Sequence, residues 1–382
     1  MADQSRPAGS LREVAGIFLR LGLVAFGGPV AHTAMMREEL VARRGWVTDQ
    51  RFADLIGATN LIPGPNSTEL AIHLGYDRAR WRGLVVAGVC FILPAALIVT
   101  GLAWAYVRYG NAPAVSGLLY GVVPVVIAII ARALVGLAGT VLKSVWLWLL
   151  ALAALTAYLF GINELLVLFS GAVIAGGVRL VRYPPRPGRR RLAVPLLLGG
   201  PLFANPTAAQ LWQLFATMLK IGSVLYGSGY VLLAFLRGDF VQRLHWITEQ
   251  QLVDAISIGQ VTPGPVFTTA TFIGYLVAGP VGAFLATVAI FTPSFLFVGL
   301  LTRLTSWLRS SPWTSVMLDG LNATALALMA GVSWQLGRTA IVDPLTAAIA
   351  VATLLLLWRT RLNSAWYIAA GALIGLTHTL WF

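Results

Sequence analysis

Apolar runs, most of them near 20 residues long, recur along the whole chain and are separated by short segments rich in arginine. About 20 apolar residues are what a helix needs to cross a hydrocarbon core of ~30 Å. Such runs are read at 83–107, 114–138, 145–161 and 163–181, then at 209–235, 282–303, 315–337, 344–359 and 363–381. No alternating ten-residue pattern of a barrel is present. The pattern predicts an all-α polytopic membrane protein.

Two places break the rhythm. Residues 11–42 read as one long helix weakened by Phe26-Gly27-Gly28-Pro29. A proline without a donor beside two glycines predicts a kink or break there. Further on, Thr48 to Ile62 reads as a short helix with Thr48 as its N-cap. Pro63-Gly64-Pro65 stops it, and Asn66 to Tyr76 forms a second short helix. Neither can cross a bilayer alone. Together they predict a re-entrant hairpin, which survives at membrane depth only when packed in protein or lining a wet cavity.

This stretch occurs twice. Trp46 to Pro65 returns 200 positions later as Trp246 to Pro265, with Trp, Thr, an acid, Gln, Asp, Ile, an amide and Pro-Gly-Pro in register. Repeats of this kind define architecture. Residues 1–181 and 209–382 are read as two homologous halves, each of about five spans plus one broken-helix hairpin. The linker 182–208 carries Arg182, Arg186, Arg189, Arg190 and Arg191 with Pro184, Pro185 and Pro187 and no acid, and reads as an irregular cytoplasmic connector.

Loop charge orients the halves. Arg37, Arg43, Arg44, Arg51, Arg78, Arg80 and Arg82 flank the first hairpin, whereas matching places in the second hold only Arg237 and Arg243. Basic loops stay in the cytoplasm, so the imbalance favours inverted repeats. The N-terminus, with Arg6 and Arg12, would then lie outside, against the same rule. If 11–42 were itself re-entrant, the crossing count would be even and the halves parallel.

Composition agrees with the pattern: of 382 residues 58% are apolar and 11% charged, against about 25% charged in soluble domains. The net charge of +13 follows from the basic loops and argues for no nucleic-acid partner. Cys90 is alone in an apolar run, which excludes a disulfide or thiolate-metal framework and leaves it a packing role. No metal or cofactor site is read. Residues 1–10 lack the basic-then-apolar order of a cleavable signal peptide, so the first apolar segment is expected to remain.

Phe26-Gly27-Gly28-Pro29, Trp46 to Asn66 and Trp246 to Pro265 together resemble the chromate transporter family in its long, two-domain form. The resemblance covers nearly the whole chain. It implies a multi-pass bacterial inner-membrane protein that exports chromate from the cytoplasm, coupled to the proton motive force, with sulfate as the related oxyanion. The second half departs from the first: Gly28-Pro29 becomes Ser228-Gly229, and Asn60 and Asn66 become Gln260 and Val266.

Chromate and sulfate are tetrahedral dianions, so a site needs donors where water is scarce. The helix after Pro63-Gly64-Pro65 offers the free N–H groups of Asn66, Ser67 and Thr68 and the positive end of a helix dipole. The second copy offers Thr268 and Thr269 after Pro263-Gly264-Pro265. Two such ends meeting at the midplane would cradle an anion, as discontinuous helices do in inverted-repeat transporters. The plainer reading is a simple turn between packed helices. Asn60 and Gln260 add amide donors, or satisfy the carbonyls of the broken helices. Arg20 and Lys220 share a slot before the glycine-rich kink, where they attract the anion or snorkel to the surface.

Glu69 lies four residues past Pro65. An acid beside a dianion repels it unless protonated, which makes Glu69 a proton-coupling candidate, with His73 one turn on. Its repeat mate is Thr269, so coupling would be asymmetric; the alternative is an ion pair with a nearby arginine. Asp54 and Asp254 are further carboxylates that either carry protons or pair with arginines. Arg132, inside an apolar span, is read as a partner for Glu69 or an interface residue. Gly27, Gly28, Pro29 and Gly227 are the expected hinges.

The alternative to a transporter is an oxyanion channel or facilitator, since paired half-helices also build pores. A membrane-embedded enzyme is disfavoured: HExxH, GxSxG, paired intramembrane aspartates and a P-loop are all missing. The expected partners are chromate, sulfate, protons and lipid, with monomer and homodimer both open.

Overall fold

The structure, a computed structural model, describes residues 10–25, 28–110, 112–182, 206–226, 231–309, 312–360 and 362–381. The linker stretch 183–205 and the expected hinges Gly27 and Gly227 lie outside the described residues.

Helix α1 (Leu11–Val24) begins at Ser10, whose Oγ accepts the Arg12 N–H, and ends at Ala25. Past Gly28, which adopts φ 78°, α2 (Gly28–Arg37) runs on into the π-helical turns Glu38–Arg43. The two arms do not form one span. Trp46 Nε1 donates to Glu13 at 3.2 Å and Arg78 Nη2 pairs with the same carboxylate at 3.1 Å, so both ends of the segment stand at one face. The break is deep enough to reverse the chain. In the second half α8 (Pro206–Val224) and α9 (Leu232–Leu236), with π turns Arg237–Arg243, repeat this design. There Lys220 pairs with Asp239 and Arg243 reaches Thr217.

The Pro-Gly-Pro hairpin follows in each half. Thr48 caps α3 (Asp49–Thr59) by accepting the Arg51 N–H, as its sequence position suggests. Helix α4 (Asn66–Tyr109) is two helices joined at a break, where Ala79 and Arg80 leave helical geometry. Its first part returns to the starting face, where Arg51 holds Asp77 at 2.8 Å. Its second part crosses. The counterpart is α10 (Glu249–Val261), with a Thr248/Gln251 capping box, then a 3₁₀ turn Val266–Thr268 and α11 (Thr269–Arg309), broken at Ala278 and Gly279.

Three more helices complete each half: α5 (Pro113–Val141), α6 (Val145–Leu159) and α7 (Glu164–Arg182), then α12 (Pro312–Ala340), α13 (Pro344–Arg359) and α14 (Ser364–Trp381). Helices α5 and α12 are each 29 residues and start on proline at an offset of 199. Among the described residues four helices are long and apolar enough to cross a membrane. Large apolar side chains such as Leu97, Phe284 and Leu296 point outward, as a lipid-facing surface requires. Small residues let helices from opposite halves touch: Gly171 meets Gly320 so closely that a Cβ on either would strike backbone.

The halves are inverted. Trp81 lies against Gly299 and Gly88 against Phe295, so the crossing parts of α4 and α11 run antiparallel. Tyr106, at the far end of α4, hydrogen-bonds Asp254 near the start of α10. Tyr120, near the start of α5, donates to Asp343 and stacks on His378. One face therefore gathers Arg43, Arg44, Arg51, Arg78 and Lys143, and the opposite face holds Arg108, Arg243 and Arg338. Among the described residues each half crosses four times and dips twice, where the sequence predicts five crossings and one dip, because the first apolar segment turns back at its glycine-rich break. A re-entrant 11–42 does not make the halves parallel: Arg182 and Pro206, the described residues that flank the expected cytoplasmic linker, stand on opposite faces.

Candidate functional site

Four chain reversals meet in the middle of the molecule. Gly64 takes φ 138° and Gly264 φ 93°, backbone that side chains resist. The Gly64 N–H donates to the Leu225 carbonyl at 2.8 Å, and the Gly264 N–H to the Ala25 carbonyl at 2.9 Å. Residues 25 and 225, like 64 and 264, are repeat mates. Each Pro-Gly-Pro tip is thus tied to the glycine-rich break of the other half.

His32 extends the first tie. Its Nε2–H donates to the Ala25 carbonyl at 3.0 Å, which leaves Nδ1 to accept from the Ser67 hydroxyl at 3.2 Å. The first residues of α4 are held in this way while their own N–H groups stay open. Pro65 O receives the N–H groups of Thr68 and Glu69; those of Asn66 and Ser67 find no acceptor among the described residues. Asn66 donates to Asn60 Oδ1 at 2.6 Å, bridging the two arms of the hairpin.

A cavity of about 1320 Å³ runs from the basic face down to this tip. Arg37 and Asp49 stand near its mouth, Asn60, Asn66, Ser67, Arg132 and Asn322 line it, and Val266 and Phe267 contribute to its floor. Both Pro-Gly-Pro copies therefore meet at its inner end, the first with polar groups and the second with apolar ones. Thr268 and Thr269 do not contribute free donors: their hydroxyls bond to Pro265 O and Val266 O. The Gln260 amide nitrogen is buried with no partner among the described residues.

Glu69 sits behind the tip, outside the cavity lining. It is fully buried, and among the described residues Ser294 is the one hydroxyl that reaches its carboxyl, without a hydrogen bond of good geometry. A Cβ on Gly64 would strike that carboxylate and come within 2.7 Å of Ser294 Oγ. Thr68 Oγ1 is buried with no partner among the described residues, Ser294 Oγ is buried beside the Glu69 carboxyl, and Tyr226 donates to Leu61 O nearby. His73, one turn on, is buried as well.

The other sequence candidates lie elsewhere. Arg20 is exposed, and Lys220 is engaged with Asp239, which also holds Arg243. Neither lines the cavity. Asp254 is buried and receives Tyr106 Oη–H at 2.7 Å and Gln250 Nε2–H at 2.9 Å. Asp54 is part-buried on α3. Among the described residues no group of three or more His, Cys, Asp or Glu could hold a metal. Asn322 and Ser294 are not legible in sequence, where a lone amide or hydroxyl in an apolar run carries no signal. Arg132 was visible, but not which side of α5 it faces.

The family model described as chromate transporter matches residues 12–176 and again 212–376, an offset of 200. A chromate transport protein of Cupriavidus metallidurans is 36% identical over 97% of this chain and 94% of its own. A probable chromate transport protein of Synechococcus elongatus is 33% identical over 92% of this chain and 91% of its own. A chromate transport protein of Pseudomonas aeruginosa is 31% identical over 94% and 90%. No solved structure matches the chain.

Proposed function

The chain belongs to the chromate transporter family, and from that premise we propose that it is a secondary active transporter that exports chromate from the cytoplasm, driven by the proton motive force. It is a multi-pass inner-membrane transport protein; direction, coupling and acceptance of sulfate are the finer parts of this reading.

One observation carries it. The cavity joins the basic face, which loop charge assigns to the cytoplasm, to the open N–H groups of Asn66 and Ser67, and stops at Val266 and Phe267. A tetrahedral dianion entering from that face meets the positive end of α4, whose dipole and free donors favour it. The tips Gly64 and Gly264 close the way onward. A channel would need a continuous path, so the closed tip favours a carrier that exposes its site to one face at a time.

Protons enter through Glu69. Burying an ionised carboxylate away from any counter-charge costs far more than burying the neutral acid. Glu69 therefore gives up its proton only when the tip rearranges and new partners reach it. Movement of the tip and movement of the proton become one event, because Gly64 separates the carboxyl from the cavity.

The test is uptake of labelled chromate into inside-out vesicles. Saturable accumulation that collapses with a protonophore, and that sulfate competes, is expected. Flux that neither saturates nor responds to the gradient would establish the facilitator instead.

A further inference from the structure

We propose that Arg132 is the counter-charge of the oxyanion site and makes the cytoplasmic chamber the high-affinity one. The proposal deepens the transport reading above and rests on it.

Charge bookkeeping in the cavity leads to this residue. Three charged side chains line it: Arg37, Asp49 and Arg132. Arg37 and Asp49 cancel one another, joined through Nε at 2.9 Å and Nη2 at 2.6 Å. Arg132 has no ion pair among the described residues, and Glu69, its expected partner in sequence, lies outside the lining. The cavity therefore carries one uncompensated positive charge.

Its depth matters. Arg132 precedes Val141, the last residue of α5, by nine residues, which is about 14 Å along a helix. An arginine so far inside a membrane protein is costly and marks a pathway or an anion. A guanidinium presents a planar fork of donors that fits two oxygens of a tetrahedral oxyanion. Asn322 from the other half and Asn66 on the tip supply neutral donors around the same space.

The repeat shows that this equipment is one-sided. At the offset of 199 that aligns α5 with α12, Arg132 corresponds to Gly331 and Asn322 to Val123. At the offset of 200 of the tips, Asn66 corresponds to Val266 and Ser67 to Phe267. Gly331 is packed against the Tyr158 ring, and Val123 is buried. The mirror chamber thus lacks each of these four polar groups. An anion held by Arg132 on the loading side would meet no counter-charge after the halves exchange poses, and it would leave.

The experiment uses the purified full-length chain and inside-out vesicles. Binding of chromate, sulfate and nitrate is measured on the wild type, Arg132→Gln and Arg132→Lys, with chromate KM and kcat alongside. Arg132→Gln is expected to weaken chromate and sulfate binding and raise KM by about tenfold or more. Arg132→Lys keeps the charge and loses the fork, so it should fall between the wild type and Arg132→Gln. Where the glutamine variant does not fold, the wild type alone decides: chromate, but not nitrate, should slow phenylglyoxal modification of Arg132, read by peptide mass. Unchanged binding in Arg132→Gln, or modification indifferent to chromate, overturns the proposal alone. A wild-type chain that binds no tetrahedral dianion overturns the transport reading with it.

Discussion

Gly64 and Glu69 show how one turn serves two purposes. The positive φ of Gly64 reverses the chain, and its missing side chain leaves the room that the Glu69 carboxyl occupies. In the second copy Gly264 keeps the turn but faces Ala95, the mate of Ser294, and Thr269 stands where Glu69 would. The turn is therefore common architecture, and the acid is an addition to one half. Glu69→Gln keeps the shape and removes the titratable proton. It is expected to bind chromate within a few-fold of wild type while losing gradient-driven accumulation and the pH dependence of flux. A variant whose flux follows pH as the wild type does would remove Glu69 from the mechanism. Both residues are legible in sequence because Gly64 centres Pro-Gly-Pro and Glu69 lies four residues past it. Arg132 and Asn322 were not legible as a site, since they sit 190 positions apart and only the packing of α5 beside α12 brings them to one cavity.

The two hairpins are alike as elements and differ in pose. Helix α10 packs on α5 and α12, whereas α3 packs on α4 and α11 and leaves the cavity between itself and α5. Exchanging the two poses would close the basic face and open the other. Tyr106 is the visible tie on the closed side, donating to the buried Asp254 at the start of α10. Its repeat mate in the sequence is Thr305, not a tyrosine. Tyr106→Phe removes one hydrogen bond, worth about 1 kcal/mol, or roughly fivefold in population. A cysteine at Ser257, buried on α10 in this pose, reports the change once Cys90 is replaced. Its labelling from the outer face should quicken about fivefold in Tyr106→Phe; equal rates would show that the tie is not a latch.

For the whole molecule, sequence and structure disagree on an instructive point. Loop charge predicted inversion and placed the N-terminus outside, against its own arginines. The structure keeps the inversion and brings the start of α1 to the basic face, because 11–43 dips and returns: Glu13 meets Arg78 and Trp46. The glycine-rich break was readable as a weak point, but its angle depends on contacts from the other half, such as Gly264 to Ala25, which no local pattern contains. Two pairs of cysteines separate the alternatives in a Cys90→Ala background. Lys143 and Val342 are repeat mates, both exposed. Parallel halves would put them on one face, and inverted halves on opposite faces. Leu11 and Arg43 bracket the first dip, so a continuous span would part them and a re-entrant pair keeps them together. An impermeant thiol reagent applied to intact cells should label Val342→Cys and spare Lys143→Cys, Leu11→Cys and Arg43→Cys; inside-out vesicles should reverse the set. Joint labelling of 143 and 342 would sink the inversion, and separation of 11 from 43 would sink the dip.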